Sequence, residues 1–269
     1  ALGLCAELLN TVAEKGYTTA TPIQKEAIPA ILSQQDVIAI AQTGTGKTAS
    51  FSLPILHLLA TMQRPQAHGI RALIIVPTRE LAAQVADNVD KYSQNLNVRS
   101  TAVFGGVRIE PQKFALEKGV DILIATPGRL VDLYEQGAIN FENLEILVLD
   151  EADRMLDLGF IDHIHHIQSL LPEKRQTLLF SATFSKEIKA LTTAMLSNPM
   201  TIELATAQDH IDNITQILHP VDKERKHELL IHLLKNHDWS QILVFTHTKR
   251  GADTLRNDLE AIGITAESI

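Results

Sequence analysis

Seven short apolar runs, residues 37–40, 72–76, 98–103, 122–125, 146–149, 177–180 and 201–204, alternate with segments of helical periodicity, and this alternation limits the chain to one broad architecture. The helical stretches are residues 48 onward, 80–92, 110–118, 160–170 and 185–196. Most runs are apolar at every position instead of every second one, so both faces of each strand are expected to be buried. Such strands alternating with helices predict an α/β fold, a doubly wound, mainly parallel sheet covered on both sides. Ligands on these sheets sit beyond the carboxyl ends of the strands, which directs attention to the residues that follow each run.

The rest of the chain is arranged around that block. Leu4, Leu8, Leu9 and Val12 recur at helical spacing until Gly16, which supplies a left-handed stop. In Thr21-Pro22-Ile23-Gln24, a capping threonine precedes proline at the first helical position and a glutamine three residues on, the pattern of a capping box. Residues 205–213 are polar and aperiodic, as expected of a linker. A second alternation then predicts strands at 215–220, 241–245 and 264–268 and helices at 223–235 and 249–262, half of another doubly wound domain. The expected division is therefore 1–36, 37–204, 205–213 and 214–269.

Composition narrows the function classes. At 269 residues there is room for about two domains at roughly 150 residues each. A hydrophobic share of 45% and a charged share of 21% fit a globular protein rather than a disordered one. The net charge of −8 provides no general basic field, so any nucleic-acid site has to be local. A single cysteine, Cys5, excludes an internal disulfide framework and fits a reducing compartment. With no apolar run near about 18 residues and no signal segment, no membrane is expected and the cytoplasm is the expected location. The first residue is Ala1 rather than methionine, as in a processed or partial chain.

The run 37–40 leads into Ala41-Gln42-Thr43-Gly44-Thr45-Gly46-Lys47-Thr48 and then a helix. Glycines allow several backbone N–H groups to converge on one anion, and the helix directs its positive end there. Lys47 adds a charge and Thr48 offers a hydroxyl to magnesium. A glycine-rich turn made for structure alone would not need the lysine. About one hundred residues later, Asp150-Glu151-Ala152-Asp153 closes the run 146–149. A carboxylate at that strand end can hold Mg²⁺, here Asp150, while a neighbour, Glu151, can position or deprotonate water. Acidic residues also favour the first turn of a helix, so it is the pairing with Lys47 and Thr48 that makes the tetrapeptide chemical.

Together these two motifs resemble those of the DEAD-box ATP-dependent RNA helicases, in which alanine commonly opens the phosphate loop. Further family motifs follow in order: Thr21-Pro22-Ile23-Gln24, Pro77-Thr78-Arg79-Glu80-Leu81, Gly105-Gly106, Thr126-Pro127-Gly128-Arg129 and Ser181-Ala182-Thr183. Val244-Phe245-Thr246-His247-Thr248-Lys249 resembles a fourth-motif segment more loosely. The wording of residues 146–160 is most similar to the bacterial RhlE-type branch.

The resemblance implies a RecA-like first domain, an incomplete second RecA-like domain, ATP and Mg²⁺ as cofactors, and RNA as partner. It assigns Gln24 to adenine, with Tyr17 packing on the base and Thr21 in the same motif; the capping box is the purely structural alternative for Gln24, and a tethering aromatic beside Gly16 is that for Tyr17. It assigns Pro77, Thr78, Arg79, Gly105, Gly106, Thr126, Pro127, Gly128 and Arg129 to the RNA backbone. Capping explains Thr78 without RNA, and a type II turn explains Pro127-Gly128, whereas Arg79 has no such structural reason to be there. Backbone contacts carry no base readout, so binding is expected to be indifferent to sequence and to weaken with salt. Ser181 and Thr183 would link the acidic motif, through Asp153, to RNA; capping the helix near residue 186 is the alternative.

His163, His165 and His166 form a cluster without a further ligand at a suitable spacing, so a solvated helix face is expected instead of zinc. The family's arginine fingers are not among the motifs before Ile269, so this chain is expected to bind ATP and to hydrolyse it poorly. Partners in ribosome assembly or RNA decay would be compatible with the resemblance, but no residue here names them. Two other functions compete: an ATP- and RNA-binding module without productive turnover, and a DNA translocase on a similar core. An arginine motif in a longer coding sequence separates the helicase from the module, and RNA- against DNA-stimulated ATPase separates it from the translocase.

Overall fold

The computed structural model describes residues 2–63, 69–204 and 215–269. The chain divides into two compact units, Ala1–Thr206 and Ala207–Ile269. The expected linker at 205–213 lies outside the described residues.

In the first unit two helices, α1 (Ala6–Glu14) and α2 (Pro22–Leu32), precede a seven-stranded sheet. Its strands are β1 (Val37–Ile40), β2 (Ala72–Ile75), β3 (Ser100–Val103), β4 (Ile122–Ala125), β5 (Ile146–Leu149), β6 (Gln176–Ser181) and β7 (Met200–Glu203). All six pairings are parallel and the order is β3-β4-β2-β5-β6-β1-β7. Each apolar run of the sequence therefore became a strand of one sheet. The connecting helices are α3 (Lys47–Thr61), α4 (Arg79–Ser93), α5 (Glu110–Glu117), α6 (Pro127–Glu135), α7 (Ala152–Asp157), α8 (Ile161–Leu170) and α9 (Lys186–Met195).

Successive strand residues face opposite sides of the sheet, so each buried strand feeds two cores. Ala39, Ile74, Val148, Leu178 and Phe180 join Phe51 and Ile55 of α3 on one side. Leu73, Leu123, Leu147, Leu149 and Leu179 join Leu130, Ile164 and Ile188 on the other. The five inner strands are buried at every residue, whereas β3 and β7, at the two edges, are mostly not. Asp36 fixes the start of β1 against both its neighbours. Its carboxylate accepts from the N–H of Thr177 and of Ser197, each at 2.7 Å, and its carbonyl accepts from Met200 N–H at 2.8 Å.

The second unit differs from expectation. Two helices are present, α10 (Lys226–Asn236) and α11 (Lys249–Ala261), close to the expected spans. The strands expected at 215–220, 241–245 and 264–268 are absent: these residues belong to no sheet, and Leu218 and Phe245 are 92% and 88% exposed. Apolar content makes a segment capable of being a strand, but a ladder partner and a covered face make it one. No helix among the described residues is long and apolar enough to cross a membrane.

Phe180 is fully buried on β6, with its ring centroid 5.1 Å from that of Phe51. We expect Phe180→Ala to cost about 3–5 kcal/mol by loss of transfer free energy and by cavity formation, measured as the shift in chemical unfolding of the first unit.

Candidate nucleotide and nucleic-acid site

Residues 41–46 turn the chain from β1 into α3 at the carboxyl end of the sheet. Ala41 continues the sheet through its N–H, which donates to Ser181 O at 2.9 Å. Gly44 and Gly46 have φ of +84° and +92°, a region closed to most side-chain-bearing residues. Thr45 braces the bend by donating its hydroxyl to Gln42 O at 2.8 Å. Gln42 and Thr43 are exposed on the rim, and Thr48 is half-buried one residue into α3. Lys47, the first residue of α3, is only 6% exposed, and its Nζ has no hydrogen-bond partner among the described residues. An ammonium withdrawn from water without partners is costly, so this position suits an anion supplied from outside the chain. The loop, the helix start and the unpartnered amine thus fit a nucleotide phosphate.

Asp150 follows β5 and is 3% exposed. Burial raises its carboxyl to a pKa of about 6, opposed by the charge of Lys47 and reinforced by that of Glu151. Lys47 and Asp150 are therefore electrostatic neighbours although they stand over one hundred residues apart in sequence. Glu151 adopts the left-handed region (φ 53°, ψ 50°), unusual for a residue with a side chain and a conformation found preferentially at functional sites. Its carboxylate has Arg154 Nη1 at 3.4 Å.

Asp153 Oδ2 accepts three hydrogen bonds from the end of β6: Ala182 N–H and Thr183 N–H at 3.1 Å, and Thr183 Oγ1–H at 3.2 Å. Ser181 is fully buried and donates its hydroxyl to Thr183 O at 2.8 Å. So Thr183 meets Asp153 directly, while Ser181 shapes the turn that brings it there. The capping alternative fails for both residues, because α9 is capped by Ser185, whose Oγ accepts from Ile188 N–H at 3.3 Å.

Gln24 serves two partners at once. Its Oε1 accepts from Thr21 N–H at 3.0 Å, the capping-box contact, and its Nε2 donates to Gly46 O at 3.3 Å. The donor on one side and the acceptor on the other fix which way the amide points. A lone pair and an N–H remain unused, so capping and base recognition are compatible. Tyr17 is about half exposed, its hydroxyl 3.5 Å from that of Tyr92 in an edge-on pair.

The three remaining segments cluster at the far half of the sheet. Pro77 is buried, and Thr78 caps α4 by accepting from Leu81 N–H at 3.2 Å. Arg79 and Glu80 are exposed and paired at 2.6 Å. A Cβ added to Gly106 would stand 3.5 Å from an Arg79 guanidinium nitrogen, so these two motifs are adjacent. Gly105 and Gly106 are exposed, the latter at φ +81°.

The type II turn expected at 126–129 is not formed. Thr126 is the extended residue before α6, Pro127 and Gly128 are its first two residues, and Gly128 lacks the positive φ such a turn requires. Proline is equally suited to the first turn of a helix, and the apolar stripe of Leu130 and Leu133 decides the outcome. Arg129 is consequently drawn inward. Its side chain is 10% exposed, Nη2 donates to Val107 O at 2.9 Å, and Nη1 has no partner among the described residues. Gln112, which the sequence reading missed, also touches this region: it bonds three backbone groups of residues 104–108.

A glycine loop between strand and helix, beside an acidic strand end in one parallel sheet, defines a phosphate-loop nucleotide-binding domain. Residues 21–191 match the model of the DEAD/DEAH box helicase family. The DEAD-box ATP-dependent RNA helicase RhpA of Helicobacter pylori is 42% identical over 258 residues, 96% of this chain and 51% of that protein. The DEAD-box ATP-dependent RNA helicase CshA of Bacillus subtilis is 38% identical over 266 residues, 99% and 53% respectively. The crystal structure of a DEAD box protein from the hyperthermophile Methanococcus jannaschii superposes with a TM-score of 0.71 at 37% identity, covering 99% of this chain and 71% of that one. The chain belongs to the DEAD/DEAH box helicase family. It spans about half the length of the curated relatives it matches.

Because the Asp150 carboxyl is raised from 3.8 to about 6 on folding, the folded state holds this proton more tightly than the unfolded chain does. That stabilisation is complete below pH 3.8 and is lost as pH rises through about 6. The difference of roughly two units corresponds to about 3 kcal/mol. We expect Asp150→Asn to remove this component, so that its stability without nucleotide falls less than that of the unaltered chain between pH 4 and 7. Parallel pH profiles in chemical unfolding would refute the burial account.

Proposed function

We propose that this chain is the nucleotide-binding and RNA-binding part of an ATP-dependent RNA helicase of the DEAD-box type, coupling ATP binding and hydrolysis to sequence-independent RNA binding and local duplex unwinding. The observation that carries the reading is the buried Lys47 amine, without a hydrogen-bond partner, beside the buried Asp150 carboxyl. The names of the relatives, ATP-dependent RNA helicases, agree with it.

In this reading the backbone N–H groups of residues 42–48 and the Lys47 amine hold the ATP phosphates. Gln24 offers its unused lone pair and N–H to adenine, with Tyr17 against the base and Thr21 completing the motif. Thr48 and Asp150 would hold Mg²⁺, which when bound neutralises charge on the phosphates. Glu151 positions the attacking water and accepts its proton. Asp153, joined to Thr183, communicates between this site and RNA. Pro77, Thr78, Arg79, Gly105, Gly106 and the start of α6 line the RNA backbone, with Arg79 exposed and able to reach a phosphate.

The same reading takes residues 37–204 as the ATP-binding RecA-like domain behind the helices of 1–36, residues 205–213 as a linker, and 214–269 as part of a second RecA-like domain. The wording Asp153-Arg154-Met155-Leu156-Asp157-Leu158-Gly159-Phe160 favours the bacterial RhlE-type branch, and a cytoplasmic location accompanies it.

We expect Lys47→Ala to abolish ATP binding, read by fluorescent-nucleotide titration of this chain. In a longer protein containing the rest of the helicase, Glu151→Gln should bind ATP normally and lose RNA-stimulated hydrolysis by about 10²-fold or more. Undiminished turnover of that variant would remove Glu151 from the base role, and ATPase stimulated by DNA as strongly as by RNA would favour a translocase.

A further inference from the structure

β3 is an edge strand, paired with β4 on one side only. Val103 O accepts from Thr126 N–H at 3.1 Å, so the polar groups of Val103 point toward β4 and those of Phe104, the next residue, toward the open edge. An unpaired N–H and C=O on an edge would ordinarily face water or another chain. Here they meet the side chain of Gln112, three residues into α5. Phe104 N–H donates to Gln112 Oε1 at 3.1 Å, and Gln112 Nε2 donates to Phe104 O at 3.2 Å. One amide thus reproduces the double hydrogen bond that a neighbouring strand residue would make. The second N–H of Nε2 donates to Arg108 O at 3.2 Å. Both ends of the segment that contains Gly105 and Gly106 are therefore tied to one side chain, and Arg129 ties Val107 O from α6.

We propose that Gln112 is a positioning residue for RNA: it holds Phe104 and Arg108 so that the glycine loop presents its backbone in one conformation. The inference rests on the RNA reading given above. A Gly-Gly pair loses much conformational freedom when it is fixed, and each residue ordered only on binding costs about tenfold in affinity. A loop ordered beforehand avoids that loss. No contact between Gln112 and RNA is required.

The test compares the unaltered chain with Gln112→Met, which keeps the length and removes all three hydrogen bonds, and with Gln112→Asn, an amide one methylene too short to reach. Two measurements are made. Amide hydrogen exchange of residues 104–108 without RNA reports the clamp, and fluorescence anisotropy with a single-stranded oligouridylate in Mg·ATP reports RNA binding. We expect both variants to exchange faster at the loop and to bind RNA about tenfold more weakly, with ATP affinity and unfolding midpoint close to those of the unaltered chain. Unchanged exchange overturns the clamp. Faster exchange with RNA affinity kept within twofold overturns its role in positioning. Failure of the unaltered chain to bind the oligouridylate overturns the RNA reading and this inference with it, a result distinguishable because the exchange measurement uses no RNA. A variant that also loses ATP affinity or stability shows a general structural role and overturns the specific one.

Discussion

An ammonium and a carboxyl buried near one another at the carboxyl end of a parallel sheet are the constraint on which the site depends. Neither Lys47 nor Asp150 has water enough to be content alone, and neither fully satisfies the other: the carboxyl is still raised to about 6, and the amine makes no hydrogen bond among the described residues. The sheet makes this possible. β1 and β5 lie either side of β6, so their ends bring the glycine loop and the acidic tetrapeptide together, and the apolar strands behind exclude solvent. A phosphate with its metal would supply the missing partners on both sides.

Around that pair, contacts pass from one motif to the next. Gln24 reaches from α2 to the loop at Gly46, and Asp153 gathers three donors at the end of β6, the strand whose Ser181 carbonyl also receives Ala41 N–H. Two sets of contacts thus meet at residues 181–183, one from the end of β1 and one from α7. Toward the other half of the sheet, Arg79 lies against Gly106 and Arg129 holds Val107, so the surfaces proposed for RNA support one another physically.

Much of this was legible in the sequence, for physical reasons. Strands buried on both faces must be apolar at nearly every position, which locates the five inner strands; the edge runs 98–103 and 201–204 are more polar and follow from the alternation with helices. The glycine loop was legible because Gly44 and Gly46 take a positive φ that few other residues can, and Lys47 follows them at the start of a helix. Other features depend on context. Pro127-Gly128 satisfies the local requirements of a turn and of a helix start, and only burial of Leu130 and Leu133 chooses between them. The three apolar segments of the second unit have strand composition but no ladder. Ser181 and Thr183 are the caps that the sequence suggests for α9, yet Ser181 is buried in the turn, Thr183 meets Asp153, and Ser185 performs the capping. Gln112 gives no signal at all, since its significance comes from the edge position of β3.

Gly46 has a consequence that reaches beyond its own turn. Its φ of +92° already disfavours any other residue, and a Cβ there would stand 2.6 Å from Gln24 Nε2 and 3.1 Å from Thr21 Oγ1. Two independent locks therefore protect one position. Trimming Gln24 would remove the 2.6 Å contact but leave Thr21 Oγ1 at 3.1 Å and the conformational lock, so no single compensating change at residue 24 can rescue a substitution at 46. The dependence between the two positions is consequently one-sided: glycine at 46 is what leaves room for the Gln24 amide, whereas nothing at residue 24 can make the backbone at 46 suitable for a side chain.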